Sequence, residues 1–69
     1  MIEVTIIHTT NSLVDWSSFY DVKTETEVRD ILDRYSLVGE ISFEIPLWRK
    51  EVLPNGDYGF LECLLRKVE

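Results

Sequence analysis

The chain has 69 residues, of which 45% are hydrophobic and 29% are charged, so it is long enough for one domain with one core (residues 1–69) and too apolar for a disordered segment. Its formal net charge of −6 disfavours direct binding to nucleic acid, because such binding depends on Lys and Arg side chains that displace counterions. The sequence contains no apolar run of about 18 residues, and we therefore predict no membrane-spanning segment.

The N-terminal segment and the cysteine content indicate a cytoplasmic location. Residues Met1 to Ile7 lack the basic start, the longer apolar stretch and the small-residue cleavage site of a secretory signal. Small secreted domains usually need disulfide bonds, whereas Cys63 is the single cysteine of this chain. We therefore predict a cytoplasmic protein.

Residue alternation predicts two strands at the start of the chain. The first, Ile2 to Thr9, is rich in β-branched residues, and Thr10-Asn11-Ser12 supplies turn formers after it. The second runs from Leu13 to Val22. On this second strand one face is shared by Val14, Trp16, Tyr20 and Val22. We expect Trp16, within that apolar set, to lie in the core.

A helix is predicted from Glu25 to Leu37. Thr24 and Glu27 have the spacing of a capping box, in which the Thr hydroxyl accepts from the Glu amide and the Glu side chain reaches back. An apolar stripe at helical spacing follows, formed by Val28, Ile31, Leu32 and Tyr35. Gly39 stands where a left-handed C-terminal cap is expected.

Two further strands are predicted after the helix. Alternation of apolar and polar residues indicates a half-buried strand from Ile41 to Trp48, and Pro46 places it at a sheet edge or at a bulge. Pro54-Asn55-Gly56-Asp57 is a strong turn signal. The last strand, Tyr58 to Val68, is apolar on both faces in its middle, which is typical of a central strand.

The element order ββαββ predicts an α+β fold, a four-stranded sheet with one helix packed on one face. If the first and last strands are neighbours in the centre, the strand order is 2-1-4-3, as in β-grasp folds. An all-antiparallel arrangement is the alternative, and the residue pattern does not decide between them.

The residue pattern contains no recognisable catalytic, metal-binding or cofactor-binding site. The three glycines form neither a P-loop nor a dinucleotide-binding motif. Zinc requires clustered Cys and His, and His8 and Cys63 are the only members of either class. A Cys–His pair is one interpretation, but a small core residue at Cys63 and a strand-end side chain at His8 explain both residues better. We therefore predict no enzyme activity and no cofactor.

Acidic residues are concentrated between residues 15 and 33, where Lys23 and Arg29 are the only basic residues. Such a cluster can present an anionic surface to a basic partner. The candidate residues of this surface are Asp15, Asp21, Glu27, Asp30 and Asp33. The alternative is local stabilisation of the helix, because acids in the first turn complement the helix dipole and Asp30–Arg34 has favourable i,i+4 spacing.

Trp48 is the best candidate for an interface anchor. Its place in the alternation is opposite to that of Phe43 and Leu47, so in a regular strand it points away from the helix. Trp is among the residues that dominate binding hot spots. A bulge at Pro46 that returns Trp48 to the core is the alternative.

The architecture of the whole chain resembles that of small phage-encoded inhibitors of bacterial defence, such as anti-CRISPR and anti-restriction proteins. A short acidic chain, a strand beginning at Ile2 and a single helix capped by Thr24 and Glu27 carry the resemblance. It implies a protein that occupies a nucleic-acid-binding or assembly surface of a defence complex in the host-cell cytoplasm.

We therefore predict a protein-binding inhibitor whose partner has a basic surface. Two alternatives remain open on the residue pattern. The first is a structural or accessory subunit that associates with copies of itself, because edge strands can pair between chains. The second is a small nucleic-acid-binding module that uses Trp48, Arg49 and Lys50, with Arg66 and Lys67 nearby if the last two strands form a hairpin.

Overall fold

The computed structural model of the protein describes residues 1–68. The elements, in chain order, are β1 (Ile2–Thr10), β2 (Leu13–Val22), α1 (Glu25–Arg34), β3 (Leu47–Val52) and β4 (Tyr58–Lys67). The strands form one sheet in the order β2-β1-β4-β3, and each neighbouring pair is antiparallel. The predicted α+β class and strand order are confirmed, and the antiparallel β1–β4 pair selects the all-antiparallel arrangement.

A two-residue turn closes the first hairpin. Thr10 pairs with Leu13, and Asn11 and Ser12 between them have φ angles of 52° and 67°. Positive φ at both central positions defines a type I′ turn, whose backbone twist matches that of the flanking strands. The turn therefore sets the register of β1 against β2.

A β-bulge interrupts this hairpin close to the turn. His8 pairs with Trp16, but the next residue, Thr9, pairs with Val14, so Asp15 is an extra residue on β2. Bulges bend a strand and redirect a side chain. Here the bulge allows the Asp15 side chain to bond to His8 on the helix side of the sheet.

The second hairpin is closed by the predicted turn. The Gly56 amide donates to the Leu53 carbonyl at 2.9 Å, and the Leu53 amide donates to the Asp57 carbonyl at 2.8 Å. Gly56 has a φ of 89°, which few residues other than glycine adopt easily. Pro54 suits the first central position of such a turn, since its ring holds φ near −65°.

The start of α1 agrees with the capping box. Thr24 accepts a hydrogen bond from the Glu27 amide at 3.3 Å, and the Glu27 carboxylate accepts one from the Lys23 amide at 3.3 Å. α1 has 10 residues, and the part of the chain that the structure describes contains no helix with the length and hydropathy needed to cross a membrane.

The end of α1 differs from the prediction, because the helix stops at Arg34 and not at Leu37. Ser36, with a φ of 55°, takes the left-handed position that we expected at Gly39. The Leu37 amide then donates to the Leu32 carbonyl at 2.9 Å, as in a Schellman motif. Leu37 is buried in the core, so the chain runs back toward the sheet after the turn.

The third strand also differs from the prediction. It covers Leu47–Val52, whereas the predicted segment, Ile41–Trp48, is largely a loop. The Ser42 hydroxyl accepts from the Ile45 amide at 3.2 Å, a local bond that competes with strand pairing. Pro46 has no amide hydrogen, so regular pairing begins only after it. The expected edge position is confirmed, since β3 borders the sheet.

The core lies between α1 and one face of the sheet. It consists of Ile2, Val4, Ile6, Val22, Val28, Ile31, Leu32, Leu37, Leu61 and Cys63. Side chains alternate along each strand, so the intervening residues lie on the other face. These intervening residues include most of the exposed aromatic side chains of the sheet.

Candidate partner-binding surface

The sheet face opposite α1 carries apolar side chains on all four strands, and those on β2, β3 and β4 are exposed. Strand pairing places Phe19 beside Thr5, Thr5 beside Leu64, and Thr9 beside Phe60. We define the open face by six of its large apolar residues, Ile7, Phe19, Trp48, Tyr58, Phe60 and Leu64. All of these except Ile7, which is half-buried, are exposed. Five exposed apolar side chains, those of Phe19, Trp48, Tyr58, Phe60 and Leu64, thus share one face of the sheet.

Trp48 projects from the open face with 62% of its surface exposed. β3 pairs with β4 in regular register from Leu47 to Val52, so there is no bulge along β3 that would return Trp48 to the core. The indole ring packs against the Phe60 ring with centroids 5.9 Å apart. The direction predicted from strand alternation is confirmed, and the binding role of Trp48 stays a prediction.

A shallow cavity of about 340 Å³ lies at the base of Trp48. It is lined by Ile7, Thr9, Trp48, Phe60 and Glu62. Its walls are mostly apolar, and the Glu62 carboxylate is the one ionisable group among those lining residues. A site with aromatic walls and one fixed charge is of the kind that selects a ligand by charge as well as by shape.

The predicted helix acids lie on the other side of the molecule from Trp48. Glu27, Asp30 and Asp33 are exposed on α1, which packs against the sheet face opposite Trp48. Glu27 is also engaged in the N-terminal cap. The structure therefore does not bring these acids and Trp48 together on one surface.

The two predicted acids on β2 are separated from each other as well. Asp21 pairs with Glu3 and belongs to the same sheet side as Phe19. Asp15 lies in the bulge, where its carboxylate bonds to the His8 ring and to the Thr10 hydroxyl. The acidic cluster of the sequence is thus divided among the helix, the end of β2 and the bulge.

The basic residues beside Trp48 do not form a cluster either. Arg49 lies on the helix side, where it donates to the Tyr35 carbonyl at 3.0 Å and to the Glu51 carboxylate at 2.8 Å. The Lys50 ammonium remains on the open face, 3.7 Å from the centroid of the Tyr58 ring. Arg49 is therefore on the opposite side of the sheet from Trp48 and Lys50, whereas the nucleic-acid-binding alternative requires all three side chains on one surface.

A polar network that the sequence analysis missed fills the helix side of the sheet beyond the end of α1. His8 is 7% exposed, and its Nδ1 lies 2.8 Å from Asp15 Oδ2 while its Nε2 lies 2.6 Å from Glu51 Oε1. Trp16 stacks on the imidazole with centroids 5.5 Å apart. Alternation with Ile6 on β1 is the sequence signal that places His8 on the buried face.

Trp16 belongs to this network and not to the closed core. It is 42% exposed, so the expectation that Trp16 is a core residue is wrong. The apolar face of β2 continues as far as Trp16, but α1 does not extend over this end of the sheet. Trp16 instead covers one face of the His8 ring and also lies near Tyr35, with ring centroids 6.0 Å apart.

Gly59 makes room for the bond between His8 and Glu51. A Cβ atom at this position would lie 2.9 Å from His8 Nε2 and 3.2 Å from His8 Cε1. Glu51 pairs with Gly59 across the β3–β4 hairpin, so the bond from His8 crosses above the glycine. A larger residue would occupy that path.

The pKa values of both carboxyls in the network, Asp15 and Glu51, are lowered by their neighbours. The hydrogen bond from the Thr10 hydroxyl lowers the pKa of the Asp15 carboxyl, and His8 lowers it further. The Arg49 guanidinium, again helped by His8, lowers the pKa of the Glu51 carboxyl. Both ring nitrogens of His8 face a carboxylate oxygen, and both can donate only when the ring carries two protons.

The network does not form a metal or nucleophile site. The two carboxylates approach His8 from opposite ends of the ring, and within residues 1–68 no three Cys, His, Asp or Glu side chains are grouped to hold a metal ion. Burial raises the pKa of the Cys63 thiol to about 11, which keeps it protonated and unreactive at neutral pH. The arrangement is suited to fastening β1, β2 and β3 together.

We expect acid to remove the stabilisation that this network supplies. The folded-state pKa values of Asp15 and Glu51 lie below their ordinary values of 3.8 and 4.5. The unfolded chain therefore takes up protons first, and the stabilisation is complete above those values and lost as the pH falls through the folded-state pKa values. The difference in unfolding free energy between wild type and Glu51→Gln should shrink between about pH 6 and about pH 3, measured by urea denaturation.

Glu40→Gln is the matched control, because Glu40 is an exposed carboxylate away from the network. Its difference from the wild type should stay small over the same range of pH. A difference between wild type and Glu51→Gln that does not change with pH would show that Glu51 is not held as a carboxylate by its neighbours.

Comparison of the chain with known proteins identifies no relative. No protein-family model, no curated protein and no solved structure matches it.

Proposed function

We propose that this chain is a protein-binding domain and that the open face is its interface. The observation that carries the proposal is the collection of exposed large apolar side chains on one side of the sheet, with Trp48 at 62% exposure. Monomeric proteins rarely leave extended apolar patches in water, and such patches are typical of interaction sites. A partner that covers this face would remove it from water.

Trp48 is the residue that we expect to contribute most to binding. It stands beside a cavity and beside a second aromatic ring, Phe60, so a partner can pack against both. Aromatic side chains contribute much contact area for little loss of conformational entropy, which is why they dominate hot spots. Phe19, on the far strand β2, extends the same surface.

The proposal takes the form of an inhibitor that occupies a basic nucleic-acid-binding or assembly surface, as the resemblance to anti-defence proteins implies. The net charge of −6 supports a basic partner, since long-range attraction accelerates association with a positive surface. The acids on α1 contribute to that field from the far side and do not contact the partner. We further propose that the interaction takes place in the cytoplasm, a compartment in which the unpaired thiol of Cys63 would stay reduced.

The test is capture of host-cell proteins by the immobilised wild type and by Trp48→Ala. We expect the retained partner to bind Trp48→Ala at least about thirtyfold more weakly, since a hot-spot aromatic contributes about 2 kcal/mol or more. The unfolding free energy should change by less than about 1 kcal/mol, because this side chain is largely exposed.

The double variant Asp30→Lys, Asp33→Lys is the control for the other surface. Both residues are exposed on α1, away from the open face. We expect this variant to retain the partner once the salt concentration is high enough to screen long-range attraction. Loss of capture by the helix variant together with full capture by Trp48→Ala would move the interface to α1 and contradict the proposal.

A self-associating subunit is the second candidate, and the edge strand β2 favours it. β2 has 10 residues, contains no Pro, Lys or Arg, and pairs with another strand on one side only. Edges of that kind can pair with a second chain. Sedimentation over a wide range of concentration separates the candidates, because a subunit of this type associates with itself and an inhibitor of another protein need not.

A further inference from the structure

Glu62 is an acid without a basic partner in the middle of the open face. It lies between Ile7 on β1 and Trp48 on β3, and it is half-buried. Within residues 1–68 no Lys, Arg or His nitrogen lies within 4.0 Å of its carboxylate. The cations of this face have other contacts, since Arg66 approaches Glu3 at 3.6 Å and Lys50 lies over Tyr58.

This placement restricts what can cover the open face. A purely apolar partner surface would take the Glu62 carboxylate out of water without a counter-charge, which strongly opposes binding. A second copy of this chain would have to give up the contact of Lys50 with Tyr58 or of Arg66 with Glu3 to supply that counter-charge. A partner with a cation of its own at Glu62 satisfies the carboxylate without such an exchange.

The side chains that line the cavity favour a guanidinium group over an ammonium group as the cation that pairs with Glu62. The Trp48 and Phe60 rings, inclined at 54° to each other, stand beside the carboxylate, and Ile7 is a further apolar lining residue. A guanidinium group stacks on aromatic faces, pairs with a carboxylate through two parallel hydrogen bonds and is more weakly hydrated than an ammonium group. The methylene stem of the same side chain is suited to the apolar wall.

We propose that the cavity formed by Trp48, Phe60 and Glu62 receives an arginine side chain of the partner protein. The inference rests on the proposed function and adds to it the chemistry of the contact, a guanidinium stacked on Trp48 and paired with Glu62. Trp48 supplies contact area, and Glu62 selects the charge. The preference for a basic partner then has a local cause on the open face, in addition to the overall charge of the chain.

The test uses two short peptides and NMR spectra of the ¹⁵N-labelled protein. Acetyl-Gly-Arg-Gly-amide carries the guanidinium, and acetyl-Gly-citrulline-Gly-amide is its neutral analogue of nearly the same shape. We expect the arginine peptide to shift the indole N–H signal of Trp48 saturably, while the signal of Trp16, which stacks on His8 on the other side of the sheet, stays in place. The citrulline peptide should produce no saturable shift.

Glu62→Gln keeps the shape of the side chain and removes its charge, so we expect about tenfold weaker binding of the arginine peptide. Glu3→Gln is the matched control on the same sheet face and should leave the affinity unchanged, because Glu3 does not line the cavity. Dispersed spectra of both variants establish that they are folded. Equal shifts with the two peptides, or unchanged affinity in Glu62→Gln, would overturn the inference.

The capture experiment separates this inference from the proposed function. If Trp48→Ala loses the partner and Glu62→Gln retains it at wild-type affinity, the open face is the interface and the arginine contact is wrong. If Trp48→Ala retains the partner fully, the proposed function itself fails, whatever the peptides do. Loss of the partner in both variants, together with binding of the arginine peptide alone, supports both.

Discussion

Replacing Leu37 by alanine should lower the unfolding free energy by about 3 kcal/mol, one of the largest losses we expect from a single side chain in this protein. Leu37 is 1% exposed and packs into the core directly after the turn that ends α1. Alanine leaves a cavity there and weakens the link between the helix and the sheet. For a domain of this size, the loss corresponds to a fall in melting temperature of roughly 12–24 °C, measured by thermal unfolding.

Val38→Ala is the matched control for this prediction. Val38 is the next residue along the chain and is 90% exposed, so its truncation should change the unfolding free energy by less than about 0.5 kcal/mol. Similar effects at the two positions would mean that the chain does not turn inward after Tyr35. The comparison therefore tests the observed end of α1 against the longer helix that a cap at Gly39 would give.

Gly59→Ala should destabilise the protein by about 2 kcal/mol, although it adds only one methyl group. The φ angle of Gly59 lies outside the left-handed region, so the cost does not come from the backbone. It comes from the added Cβ, which would lie 2.9 Å from His8 Nε2 and would displace the imidazole from Glu51. Urea denaturation of the single variant measures the loss.

A double-mutant cycle identifies the cause of that loss. If Gly59→Ala acts by breaking the bond between His8 and Glu51, its effect should be smaller in a Glu51→Gln background, because that bond is already weakened there. Additive effects of the two substitutions would show that the methyl group disturbs something other than this bond. In that case the role assigned to Gly59 in the polar network would be wrong.

The parts of the fold that follow from neighbouring residues could be predicted. The capping box at Thr24 and Glu27 and the turn at Pro54-Asn55-Gly56-Asp57 involve residues only a few positions apart, and both are present. The central place of β4 was visible because both of its faces carry apolar residues in the middle. Local chemistry and alternation were sufficient for these features.

The errors arose where two local patterns competed. Gly39 as the expected cap favours a helix as far as Leu37, but a turn at Ser36 buries the same leucine without extending the helix. Alternation before Pro46 resembles a strand, yet the Ser42 hydroxyl and the missing proline amide hydrogen favour a loop. Choosing between such patterns requires knowledge of what packs against them, which a single sequence does not contain.

The candidate site was predictable only where it depends on neighbouring residues. Alternation with Leu47 placed Trp48 on the face away from the helix, and that part of the inference is correct because both residues lie in β3 although the rest of the predicted segment is a loop. The importance of Glu62 depends on Ile7 and Trp48, which adjoin it through pairing between distant segments. The contact between His8 and Glu51 likewise joins the first strand to the third. Signals of this kind appear only once the strand register is known.

The antiparallel pairing of β1 with β4 has a consequence for how the chain folds. Each hairpin can form by itself from neighbouring residues, but the centre of the sheet joins the first strand to the last. During synthesis the apolar side of the first hairpin therefore stays uncovered until β4, its main partner strand, has emerged from the ribosome. The rate-limiting step should be docking of the two hairpins, and substitutions at the β1–β4 contact should slow folding more than substitutions within either turn.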